Sequence, residues 1–139
     1  MTTTIPLTSI RRCFEGDIPN VLATSSADGS PNVIYLSQVL LVDDDHVAIS
    51  NQFLRKTLVN LAENPVATLL LIDPGDGKSY KLLVRHLGSE CEGDRFDDAR
   101  LELESLAALV GMHDVFALKG LEIFRVLDAV DVVFGESRS

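Results

Sequence analysis

The sequence from Val47 to Pro65 reads VAISNQFLRKTLVNLAENP, and it predicts a strand followed by a short helix. Its β-branched and apolar start is typical of a strand, which Ser50 and Asn51 end. Leucines then recur at helical spacing until Pro65, and proline is a residue at which helices stop. Serine and asparagine also favour the residue that caps a helix start. We therefore expect a helix N-terminus directly after this strand.

Arg55 and Lys56 fall in or beside the first turn of the predicted helix. Unpaired N–H groups make that end partly positive, so each cation there opposes the helix dipole by about 0.3–1 kcal/mol. A bound anion would reverse this penalty, and phosphate suits a site built from backbone amides, a guanidinium and an ammonium group. The alternative is an ordinary surface helix, whose cations pair in solvent with the acidic residues 43–45.

Composition limits the classes of function. The chain has 139 residues, of which 46% are hydrophobic, so we expect one domain over residues 1–139 with a real core. Its 12 basic and 21 acidic residues give a net charge of −9, which argues against nucleic acid or an anionic membrane as the main partner. Two cysteines fit neither a disulfide framework nor a paired metal motif. With no leader-like or membrane-spanning run, the expectation is a soluble cytoplasmic protein.

Outside the opening stretch, alternating and apolar runs predict further strands and two further helices. The first three strands are expected to form an antiparallel meander. The six predicted strands are residues 20–26, 31–41, 47–50, 66–72, 78–87 and 117–127, with a short N-terminal helix near Ile10 and a long helix over 94–110. This pattern indicates a mainly β fold, a small antiparallel β-barrel with flanking helices whose remaining apolar surface is buried by a second copy.

The residues alone reveal no catalytic constellation. His46, His86 and His113 lack the spacing of metal ligands, and no cysteine is placed as a nucleophile. The sequence GKS at residues 77–79 lacks the first glycine and the strand-to-helix context of a P-loop, and we interpret it as part of a hairpin turn. Catalytic and metal-binding residues are therefore not assigned.

The order of several short motifs resembles the pyridoxamine 5′-phosphate oxidase-like family of FMN-binding split barrels. These motifs are AT at 23–24, DGSPNV at 28–33, VAISN at 47–51, RKT at 55–57, NL at 60–61 and ENP at 63–65. The likeness covers about residues 18–128, and the combined order is far more specific than any single motif. It implies a six-stranded antiparallel split β-barrel that binds FMN at the interface of a homodimer.

The resemblance also implies roles for individual residues. Ser50 and Asn51 are similar to the family's strand-exit residues near the FMN phosphate, and Arg55 and Lys56 to its charged clamp. Three residues of the neighbouring strand would meet the edge of the flavin ring: Tyr35, Leu36 and Ser37. Lys81 or Arg85 of a later strand would close the site from the partner subunit.

Departures from the family pattern bear on activity. The true oxidase carries an arginine and a lysine where Ile34 and Val39 align, and its substrate-binding C-terminal segment contains a tryptophan, which this sequence lacks. Pyridoxamine phosphate oxidation itself is therefore not expected. The resemblance leaves an FMN-dependent oxidoreductase acting on an unidentified small molecule, with two alternatives. These are a non-catalytic flavin-binding or sensing module and a deazaflavin-dependent reductase. Some relatives use haem, and the fold does not decide among these functions and cofactors.

Overall fold

Seven strands, two α-helices and a 3-10 helix make up the part of the chain that the structure describes. The computed structural model describes residues 5–15, 19–36, 38–51, 54–109, 111 and 118–132. A 3-10 helix spans Leu7–Phe14, and the further elements are β1 (Asn20–Ser25), β2 (Pro31–Leu36), β3 (Val39–Asp43), β4 (His46–Asn51), α1 (Arg55–Glu63), β5 (Val66–Ile72), β6 (Ser79–Glu90), α2 (Asp94–Leu109) and β7 (Gly120–Val132).

All seven strands belong to one antiparallel sheet in the order β2-β1-β5-β6-β7-β4-β3. β2 and β3 lie at its opposite edges, yet only residues 37 and 38 separate them in the chain. The three-residue step from Leu36 to Val39 spans at most about 11 Å. The two edges must therefore approach each other, and the sheet rolls into a split barrel.

This sheet confirms the predicted mainly β split barrel, and the described residues form seven strands rather than the predicted six. The predicted strand over residues 31–41 is two strands, because the chain crosses from one sheet edge to the other after Leu36. The predicted three-strand meander is wrong for the same reason. β1 pairs with β2 and β3 pairs with β4, but β2 and β3 do not pair.

Alternate residues of the strands fill the barrel interior. Leu69 of β5 lies between Leu22 and Leu82 in the sheet register, and all three are fully buried. Phe124 of β7 is buried in the same core cluster. The 3-10 helix adds Leu7, Ile10 and Cys13 to this cluster, which confirms the short N-terminal helix. A single interior thus receives side chains from both ends of the chain.

The long helix α2 packs on the outside of the barrel. Its Ala99 contacts a separate small cluster that contains Ala48 of β4 and Leu121 of β7. Ala99 and Leu103 of this helix are buried, while residue 110 at the predicted end of the helix lies outside the described residues. Among the helices that the structure describes, none combines the length and the apolar character needed to cross a membrane.

The short helix α1 confirms the strand-to-helix prediction made from residues 47–65, but its cap residue is Leu54 and not Ser50 or Asn51. It starts at Arg55, directly after the Leu54 cap residue, and ends before Pro65. The Leu58 N–H donates to the Leu54 carbonyl at 2.9 Å, which closes the first turn. Arg55 and Lys56 are therefore the first two residues of a helix that begins shortly after the end of β4.

Candidate functional site

A cavity of about 360 Å³ opens where β4 ends, α1 begins and β7 begins. Its described lining consists of Asn51, Leu54, Arg55, Leu58 and Lys119. β4 and β7 are antiparallel neighbours, and Asn51 is opposite the first residue of β7 in their register. The Lys119 N–H donates to the Asn51 carbonyl at 2.8 Å. This pairing brings a lysine from the far end of the chain to the start of α1.

The cavity presents positive charge from three sources. Arg55 supplies a guanidinium and Lys119 an ammonium group. The first-turn N–H groups of α1 have no acceptor within the helix, and the Leu54 side chain does not cap them. In the described ranges of the chain, neither Arg55 nor Lys119 forms an ion pair with a carboxylate. These groups together suit a phosphate or another compact anion.

The acidic turn after β3 does not neutralise these cations. Asp43 and Asp45 both contact Nδ1 of His46 at 2.8 Å, and Asp44 accepts a hydrogen bond from the Thr8 hydroxyl. A backbone N–H bond from Asp45 and the His46 hydrogen bond hold the pKa of Asp43 below its usual value. The structure therefore does not have the alternative arrangement, in which the cations at the start of α1 pair in solvent with residues 43–45.

Lys56 lies outside the described lining of the cavity and close to the β1–β2 turn. Hydrogen bonds from Ser26 and Ser30, with a smaller contribution from the Lys56 charge, lower the pKa of Asp28 to about 2. Gly29 makes this turn with a φ of +88°, and an Asp-Gly pair is typical of a tight hairpin turn. The two predicted clamp residues thus have different surroundings, and Arg55 is the one at the cavity.

Ser50 and Leu36, two further residues of the predicted FMN site, are buried. Ser50 is 4% exposed, and its hydroxyl donates to Oε1 of Gln38. Leu36 belongs to the main core cluster. Gln38 is also buried, and its Nε2 has no partner among the atoms that the structure describes. Ser37, predicted to meet the flavin ring, lies outside the described residues.

Tyr35 and Lys81 lie on the outward face of the sheet and not at the cavity. Tyr35 is 80% exposed. Because side chains alternate along each strand, the residues next to the buried interior row point outward. One outward row runs across five strands as Tyr35, Val21, Leu70, Lys81 and Val130, and the next as Val33, Ala23, Thr68, Leu83 and Asp128.

Sequence reasoning missed Lys119 and the acidic residue beneath the cavity. Lys119 lies inside the predicted strand over residues 117–127, and nothing in the sequence indicates that this strand pairs with β4. Glu122 of β7 is 1% exposed, and Nδ2 of Asn51 donates to its Oε2 at 3.3 Å. The motif order pointed to Asn51 and Arg55, but it carried no signal for either residue of the C-terminal strand region.

Solved structures of several other proteins share this fold. An FMN-binding protein from Syntrophomonas wolfei subsp. wolfei superimposes with a TM-score of 0.72 at 18% identity, covering 94% of this chain and 92% of that one. An F420 reductase matches with a TM-score of 0.59 at 15% identity, over 85% of this chain and 93% of the other. The heme storage protein HutZ from Vibrio cholerae matches with a TM-score of 0.56 at 15% identity, over 92% and 94%.

The family assignment comes from the sequence. No curated protein matches this chain. The family model for pyridoxamine 5′-phosphate oxidase matches residues 8–115, which is well over half of the 139 residues and includes β1 to β6, α1 and α2. The chain therefore belongs to the pyridoxamine 5′-phosphate oxidase family.

Proposed function

We propose that this protein binds FMN and works as a flavin-dependent oxidoreductase on a small molecule. The observation that carries the proposal is the cavity at the start of α1, where Arg55 and Lys119 meet helix N–H groups that have no acceptor within the helix. This donor set fits a terminal phosphate, because a guanidinium binds two oxygens at once while an ammonium adds a compact charge. Membership of the family and the fold shared with an FMN-binding protein support the same cofactor.

In this proposal the residues of the chain hold and orient the cofactor. Arg55, Lys119 and the first turn of α1 would bind the phosphate, while Lys56, which lies outside the described lining, would contribute little. Nε2 of Gln38, which is buried next to Ser50 and has no partner among the described residues, would serve a polar edge of the ring. The backbone of Tyr35, Leu36 and Ser37 would face the ring edge as well. Bound FMN supplies hydride or single-electron transfer, and the protein supplies binding, orientation and exclusion of water.

The partner in this proposal is a second copy of the chain. Outward rows of the sheet leave Tyr35, Val33 and Leu83 exposed at 80%, 65% and 42%. Aromatic and aliphatic residues grouped on one uncovered face are typical of an interface, and a two-fold dimer buries the same face of both copies. Lys81 or Arg85 on this face would then approach the flavin of the partner subunit.

Leu83→Glu is expected to convert the dimer into a monomer. Burying an unpaired carboxylate at an interface is costly, whereas in the monomer the new glutamate has Lys81 and Arg85 two residues away on the same strand. Sedimentation velocity at micromolar concentration measures the result. Leu101→Glu, which changes a leucine that is 55% exposed on α2, is the matched control and should stay dimeric. A monomeric wild type, or a dimeric Leu83→Glu protein, would contradict this interface.

Titration of the purified protein with FMN tests the proposed cofactor. We expect saturable binding with quenched flavin fluorescence, and weaker binding of riboflavin, which has no phosphate. F420 and haem are the competing ligands. The net charge of −9 disfavours the acidic tail of a deazaflavin cofactor, and no histidine, cysteine, methionine or tyrosine is among the described lining residues to bind a haem iron. Tighter binding of either competitor than of FMN would overturn the proposal.

A non-catalytic flavin-binding module is the second candidate function. The described lining of the cavity contains no carboxylate and no imidazole, and these are the usual proton-transfer groups. Oxidation of NADH or NADPH by the FMN-loaded protein distinguishes the two functions. Turnover supports the oxidoreductase, while tight FMN binding without turnover on any reductant favours the module.

A further inference from the structure

A buried carboxylate lies beneath the cavity and contacts three polar side chains. Glu122 is 1% exposed. Its Oε1 accepts a hydrogen bond from the Ser89 hydroxyl at 2.6 Å and lies 2.9 Å from Nε2 of His86. Its Oε2 accepts from Nδ2 of Asn51 at 3.3 Å. Of these residues Asn51 lines the cavity, so Glu122 reaches the candidate site through a single intermediate side chain.

The ionised state of Glu122 fixes the orientation of the Asn51 amide. Burial alone raises the pKa of Glu122, but the hydrogen bonds and the charge of His86 outweigh burial and hold the pKa below its ordinary value. At neutral pH the group is therefore a carboxylate, which can only accept hydrogen bonds. The amide of Asn51 must then present its Nδ2 to Glu122 and its Oδ1 in the other direction.

That Oδ1 accepts a hydrogen bond from the N–H of Leu54 at 3.3 Å. Leu54 is the cap residue of α1 and, like Asn51, lines the cavity. The main-chain carbonyl of Asn51 is bound in turn by the N–H of Lys119 at 2.8 Å. One side chain thus connects the end of β4 to the helix start, and its orientation depends on Glu122.

We propose that Glu122 is a positioning residue for the anion pocket: its carboxylate orients Asn51, which holds the Leu54 end of α1 and so directs Arg55 and the helix N–H groups at the ligand. This inference rests on the proposed function. Burying a charge is costly, and an apolar side chain of similar volume would avoid that cost. A negative charge below an anion pocket also opposes the ligand. The fixed orientation of Asn51 is the benefit that accounts for a buried carboxylate at this position.

Glu122→Gln tests the proposal with a side chain of the same shape. Its single oxygen can serve His86 and Ser89, which leaves its NH2 facing Asn51 and turns the Asn51 Oδ1 away from Leu54. We expect about tenfold weaker FMN binding and a change of less than about twofold for riboflavin. A role limited to stability would weaken both flavins together or would lower only the melting temperature. Either of those results, or unchanged FMN affinity, would overturn the proposal.

A double-mutant cycle shows whether Glu122 acts through Asn51. Asn51→Ala removes the intermediate side chain, so adding Glu122→Gln to it should not change the ratio of FMN to riboflavin affinity any further. Additive effects of the two substitutions would contradict the mechanism.

Hydrogen exchange of the Leu54 amide gives a readout that needs no ligand. We expect exchange about tenfold faster in Glu122→Gln than in the wild type, because the amide loses its acceptor. Failure of the wild type to bind FMN would defeat the proposed function, and faster Leu54 exchange would still establish the positioning link. FMN binding by the wild type with unchanged Leu54 exchange in the variant would defeat the link alone.

Discussion

Arg55→Ala is expected to weaken FMN binding by about 10- to 100-fold while the barrel stays folded. A charge-assisted hydrogen bond to a guanidinium contributes about 1.5–3 kcal/mol, which corresponds to this range of affinity. Arg55 is in the first turn of α1, is not a core residue and has no carboxylate partner in the described part of the chain, so its loss leaves the fold intact. Adding Lys119→Ala should bring the total loss above about 100-fold.

Lys56→Ala is the matched control for this experiment, because it removes an adjacent cation from the same turn. Lys56 is near Asp28 and is not part of the described cavity lining, so we expect a loss of about fivefold or less. Fluorescence titration gives the affinities, and circular dichroism verifies folding. Undiminished FMN affinity in a folded Arg55→Ala protein would show that the phosphate binds elsewhere. A larger loss for Lys56→Ala than for Arg55→Ala would restore Lys56 as the main clamp.

Phe124→Ala is expected to lower the free energy of unfolding by about 3–5 kcal/mol, a large part of the stability of a protein of this size. Phe124 is fully buried on β7, and its ring centroid is 5.1 Å from that of His86. Removing the ring leaves a cavity that the neighbouring strands, held in register on both sides, can close only in part.

Urea denaturation measures this loss as a lower midpoint with an unchanged slope. Leu101→Ala on α2 is the control, since Leu101 is 55% exposed and its substitution should change stability by about 0.5 kcal/mol or less. A Phe124→Ala midpoint equal to that of Leu101→Ala would contradict the placement of Phe124 in the core.

The local features of the site were predictable from sequence because short-range chemistry determines them. Leucine spacing and Pro65 located α1, which placed Arg55 in its first turn. Side-chain alternation along β6 buries Leu82 and exposes Lys81, as the period of two in a strand requires. In such cases residues within one turn or one strand decide the outcome, and the sequence shows all of them.

Strand pairing between distant segments was not predictable in the same way. Alternation shows which face a residue occupies but not which strand lies beside it, so nothing linked β4 to β7 or Lys119 to Asn51. Residues 31–41 are apolar on both sides of the crossing after Leu36, which hid the break between β2 and β3. Glu122 resembles a solvent-facing strand residue, and its burial depends on side chains that are distant in sequence.

β7 is the last of the described strands, and it is the only described strand that attaches the β3–β4 hairpin to the rest of the sheet. During synthesis the ribosome releases that hairpin long before its partner strand exists. The pairing that brings Asn51 to Lys119 therefore forms only after residues beyond 120 have emerged. A nascent chain has no complete pocket, so any ligand of this pocket can bind only after translation of β7 and cannot guide the earlier steps of folding.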